Sequence, residues 1–135
     1  MAYEYFEHSA DVGIVGKGES LEEAFEEAAK AMFNLMVDVE AVQPIKTIEV
    51  ECEAENDEEL FVEWLNGLLA EATINNMVFS QFDVQIENGK LVGLARGEEL
   101  DPERHEMRTE VKAATYSQLK IMKDIEFVAQ CVVDV

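Results

Sequence analysis

The eleven residues Tyr5-Phe6-Glu7-His8-Ser9-Ala10-Asp11-Val12-Gly13-Ile14-Val15 constrain the fold more than any other stretch. They set one carboxylate, Asp11, between two short apolar runs, with Gly13 close behind. A strand that enters a turn and returns as a second strand reads this way. The chain closes on Val132-Val133-Asp134-Val135, a second lone carboxylate within a β-branched run. A buried charge without a partner is costly, so two acids in apolar strand contexts each require one. Strand pairing between the first and last segments sets the two acids side by side. A divalent cation is then a natural partner.

The charge balance bears on that point. Ten Lys and Arg face thirty Asp and Glu, a formal net charge of −20, where roughly 2–8 in magnitude keeps a small domain soluble. No Lys/Arg cluster interrupts the acidity, so RNA and anionic membrane surfaces are poor partners. Hard cations and basic protein surfaces are good ones. Acidity that serves only solubility, or a high-salt cytoplasm, is the plainer reading. The 135 residues, 48% hydrophobic, make one domain, 1–135. With no long apolar run and no leader pattern, the expected location is cytoplasmic. Cys52 and Cys131 lack C-x-x-C spacing and fall at apolar strand positions, as small buried hydrophobes in a reducing compartment.

Ser20 with Glu23 is a capping box. Leu21, Ala24, Phe25, Ala28, Met32, Phe33 and Met36 then recur at helical spacing, which predicts a helix over 20–37. Thr47 to Ala54 alternates between apolar and acidic, a half-exposed strand. Asn56 or Asp57 caps a second helix, about 58–74, whose stripe Leu60, Phe61, Trp64, Leu65, Leu68 and Leu69 belongs to the core. Asn88-Gly89 is a hairpin turn between strands that begin near 76 and return over 90–96. Residues 97–106 form a polar loop with a helical turn at Asp101-Pro102. Strands follow over Met107–Tyr116 and Glu126–Val135. The expected fold is α+β, a two-layer sandwich of two amphipathic helices on a mostly antiparallel sheet.

Catalytic chemistry is poorly served. His8-Ser9-Ala10-Asp11 holds the letters of a hydrolase triad, but adjacent strand residues point to opposite faces. No phosphate loop or dinucleotide fingerprint is present, and no cation stands beside either thiol in sequence to activate it. Oxygen ligands are better supplied, by Asp11, Asp38, Asp134 and the α-carboxylate of Val135. Asp11 also reads as a turn former and Asp38 as a loop residue, at a helix C-terminus that disfavours anions. His105 reads as an exposed loop histidine, Lys112 as a solvent-facing strand residue. No EF-hand loop accompanies the acids, which argues against a stand-alone calcium binder.

Eight blocks in order resemble the archease family: Tyr3–Ile14, Ser20–Phe25, Met36-Val37-Asp38, Trp64-Leu65-Asn66, Gly97-Glu98, Arg104-His105, Glu110–Tyr116 and Val133-Asp134-Val135. The resemblance spans essentially the whole chain. Ser9 stands where many members carry Thr, and Ser117 where many carry His. The resemblance implies a non-enzymatic partner of the tRNA-splicing RNA ligase that uses GTP and Mn²⁺, promoting guanylylation and multiple turnover of that enzyme. It also implies a metal site at Asp11, Asp38 and Asp134, with calcium the expected ion, and no direct nucleic-acid binding. The alternative it leaves is a chaperone-like modulator of another RNA-modifying enzyme, such as a tRNA methyltransferase.

Overall fold

The computed structural model describes residues 2–135. Strands β1 (Ala2–His8) and β2 (Asp11–Gly18) form the expected opening hairpin, register His8 opposite Asp11. Ser9 turns it at φ 53°, the left-handed region. Helix α1 (Leu21–Met36) starts at Ser20, whose Oγ accepts the Glu23 N–H at 3.1 Å. It ends one residue short of its predicted limit, and Val39–Ala41 forms a 3₁₀ turn. Then come β3 (Lys46–Glu53), α2 (Asp57–Asn75), β4 (Met77–Glu87) and β5 (Lys90–Glu99). Short β6 (Ala113–Ala114), β7 (Lys120–Lys123) and β8 (Phe127–Asp134) complete the chain.

All pairings are antiparallel, but the strands divide into two sheets. The first runs β1-β2-β8-β6, with β7 also on β8; the second runs β3-β5-β4. Helix α1 packs on β2 and β8 and reaches β4, while α2 packs on the second sheet and reaches β6. The α+β expectation holds, with two sheets where the sequence suggested one.

Small residues allow the closest approach. A Cβ on Gly16 would run into the backbone of Ala24 and Ala28, so α1 lies almost directly on β2. Gly93 likewise makes room for the Trp64 ring. Trp64 is fully buried, and its indole N–H donates to the Phe25 carbonyl at 3.1 Å. That bond joins the two helices through the core and satisfies a polar atom that burial would otherwise penalise. The Asn88-Gly89 turn has φ 50° and 75°, the positive pair that a two-residue hairpin turn requires.

One predicted strand is largely absent. Only Ala113 and Ala114 of Met107–Tyr116 join a ladder. The preceding N–H groups are taken by a helix end instead: Arg108 N–H donates to Met36 O and Thr109 N–H to Leu35 O, each at 2.9 Å. Arg108 also reaches Asn34 O at 3.2 Å. The last turn of α1 has no basic residue of its own, so this segment satisfies its orphan carbonyls and supplies a cation to the negative end of the dipole. Alternation in the sequence could not reveal that competing use.

Candidate carboxylate site at the joined chain ends

Strand β2 pairs with β8 up to Val12 opposite Val133. One step beyond that pair stand Asp11 and Asp134, and Asp134 is opposite Ala113 of β6. Since side chains alternate along a strand, His8, Asp11 and Asp134 fall in one row on one face. The next row on that face holds Phe6, whose ring occupies the space a Gly13 side chain would need. The Val135 N–H donates to an Asp11 carboxylate oxygen at 3.3 Å, linking positions 124 apart in sequence. The Lys112 N–H donates to Asp134 O at 2.8 Å. Asn66 of α2 holds this segment from the other side, donating to Ala114 O at 3.1 Å and accepting the Ala114 N–H at 2.8 Å.

Asp38 sits apart from the ladder. The helix ends before it, and its carboxylate caps the 3₁₀ turn by accepting the Glu40 N–H at 3.1 Å. An acid that begins the next turn avoids the unfavourable end of the α1 dipole, which explains its place in the sequence. The Arg108–Lys112 segment runs from the end of α1, beside Asp38, to Asp134.

Among the described residues, no three His, Cys, Asp or Glu side chains converge as a ready-made metal cluster. The donor chemistry nevertheless fits a hard cation. Asp11 and Asp134 are adjacent, neither forms a salt bridge among the described residues, and the Val135 terminus adds oxygens. Among the described residues, a buried nitrogen in that row, His8 Nδ1, also lacks a hydrogen-bond partner. Thiol chemistry is disfavoured. Burial pushes the Cys131 thiol up to about 12, and burial with the nearby Glu63 charge pushes Cys52 to about 11. Cys131 is buried as expected, whereas Cys52 is only half-buried.

A second polar constellation was not foreseen. His105, expected as an exposed loop residue, is 2% exposed. Its Nδ1 accepts the Asp101 N–H at 2.9 Å, so the proton sits on Nε2, which lies 3.0 Å from Glu98 Oε2. Glu98 also accepts the Gln43 N–H at 2.7 Å and pairs with Arg104. Burial acts to raise the Glu98 carboxyl, but Arg104, Gln43 and His105 outweigh it and hold it down at about 2. Both His105 nitrogens are engaged, so the ring fastens the loop. The sequence signal was an acid, Glu98, followed across the Asp101-Pro102 turn by Arg104 and His105.

The family model for the Archease protein family (MTH1598/TM1083) matches residues 3–135. The chain belongs to the archease family. Proteins named archease from Pyrococcus abyssi and Methanosarcina mazei are 46% and 42% identical to it, over 98% of this chain and 98% and 95% of theirs. The solution structure of Methanobacterium thermoautotrophicum protein 1598 superposes with a TM-score of 0.87 at 37% identity, covering 99% of both chains. Archeases are accessory factors associated with tRNA-splicing ligase, which places this chain within tRNA processing. No helix among the described residues is long and apolar enough to cross a membrane.

Proposed function

We propose that this archease is a metal-binding protein cofactor of a GTP-dependent tRNA-splicing RNA ligase, promoting guanylylation of that enzyme and its multiple turnover. Membership of the family across residues 3–135 carries this reading. The charge of −20 supports it, because an RNA-binding enzyme presents basic surface to which an acidic partner is drawn. Asp11 and Asp134 hold the cation at the joined chain ends, with Asp38 and the Val135 carboxylate as further oxygen donors and calcium the expected ion. The bound ion supplies positive charge that offsets the repulsion between neighbouring carboxylates. Asn66 and the Lys112 N–H fix the strand from which Asp134 projects.

The deciding measurement is ligase turnover on split tRNA halves with GTP and Mn²⁺, with and without substoichiometric archease. The expected result is a single turnover without it and many with it. Unchanged turnover overturns the proposal, and a response from a tRNA methyltransferase instead would establish the alternative. The isolated archease should show no RNA affinity at physiological salt.

A further inference from the structure

The β3-β5-β4 sheet has helices on one face only, and the other face is open to solvent. Register places Glu49, Leu94 and Asp83 in one outward row, and Glu51, Val92 and Gln85 in the next. Two aliphatic side chains therefore occupy the middle strand of an uncovered face, Val92 with 40% of its surface in solvent. Acids stand on the strands to either side.

The basic residues on this face are already engaged. Lys90 pairs with Glu53 at 3.9 Å, and Arg96 pairs with Asp83. Glu49, Glu51 and Glu87 have no salt-bridge partner among the described residues. Acids on β3 also discourage edge-to-edge pairing of that strand. β4 is the other edge strand and its acids serve it in the same way, but that role does not account for exposed Val92. An apolar centre within a charged rim is the anatomy of a protein interface.

We infer that this open face docks a protein surface rich in Lys and Arg around an apolar side chain. The occupant rests on the ligase reading above, whose partner is the basic protein concerned. Polyanions are repelled by the same charges. Three strands about 4.8 Å apart and four outward rows about 7 Å apart give a patch of roughly 400 Å². That area suits a transient contact, as a partner that acts substoichiometrically must make.

The test measures affinity of the intact archease for purified ligase at about 50 and 300 mM salt. Glu49→Lys/Glu51→Lys should raise Kd at least tenfold and flatten its salt dependence, since exposed charges are screened within roughly 8–10 Å at ~0.1–0.15 M salt. Val92→Ser should raise Kd while leaving the salt dependence intact. Glu63→Lys/Glu106→Lys, exposed positions elsewhere, should change Kd less than twofold. All five substitutions avoid buried residues, and unchanged melting confirms folding. A folded Glu49→Lys/Glu51→Lys variant that binds like the unmutated protein overturns the docking face alone. An unmutated protein that neither binds nor stimulates the ligase overturns the ligase reading, and with it the partner assigned here.

Discussion

The backbone N–H of Val135 donates to the carboxylate of Asp11 at 3.3 Å, so the last residue of the chain is fixed against the first turn. The bond forms because β8 lies against β2 and carries Asp134 to the position beside Asp11.

The first prediction concerns this junction of the chain ends. Calcium at a hundredfold excess over its Kd should stabilise the protein by about 2.7 kcal/mol, a melting rise on the order of 10 °C. Asp11→Ala and Asp134→Ala should abolish both this rise and ligase stimulation, while the metal-free proteins stay folded. Asp134→Asn should be nearly as damaging, because it preserves shape and removes charge. A short tag after Val135 should weaken the calcium response. A flat melting temperature on calcium titration of the unmutated protein would defeat the metal assignment.

The second prediction concerns acid stability. Glu98 is held at about 2 in the folded protein, below its ordinary value of 4.5. A depressed carboxyl stabilises the fold above the unfolded value, and that contribution fades as pH falls from about 4.5 towards 2. Urea midpoints between pH 6 and 2 should therefore decline for the unmutated protein and decline less for Glu98→Gln. At neutral pH, Glu98→Gln should lower the urea midpoint, by less than breaking a fully buried pair would, because the Arg104 side chain is 43% exposed.

Glu98 also shows where sequence reading stops. Helical and alternating periodicity revealed both helices, the opening hairpin and the Asn88-Gly89 turn, because each follows from local spacing and backbone preference. The apposition of Asp11 and Asp134 was legible too, since two apolar runs with lone acids have few ways to pair. The loop from Asp101 to Lys112 was not. Its N–H groups serve α1 carbonyls distant in sequence, and His105 is buried by contacts that no periodicity encodes. Asp38 was expected as a metal ligand; one of its carboxylate oxygens caps its own 3₁₀ turn, a use that depends on where α1 ends.

The third prediction concerns Asn66. Its amide makes two hydrogen bonds to Ala114, a residue 6% exposed. Asn66→Ala leaves a buried N–H and C=O without partners, a cost of about 1–3 kcal/mol. Urea unfolding should show that loss, and hydrogen exchange should show faster exchange at Ala114. Because Lys112 and Asp134 lie on the same pinned segment, calcium affinity should fall as well. Unchanged exchange at Ala114 would separate Asn66 from the site.

The last prediction addresses the seat of α1. Gly16 lies under the helix, and a methyl group there would meet Ala24 O and Ala28 N, backbone atoms that cannot rotate away. Relief requires α1 to lift from β2, and the core that Phe25, Met32 and Phe33 fill must open with it. Overpacking typically costs about 1–3 kcal/mol, occasionally more, and a clash with helix backbone belongs at the upper end. Gly16→Ala should therefore lower the urea midpoint sharply. Gly67→Ala is the control, since its Cβ would meet only a Val50 methyl, at 3.0 Å, and alanine favours the interior of α2 by about 1 kcal/mol. It should be near neutral or stabilising. Equal losses from the two substitutions would mean that the contact between α1 and β2 is more yielding than its geometry indicates.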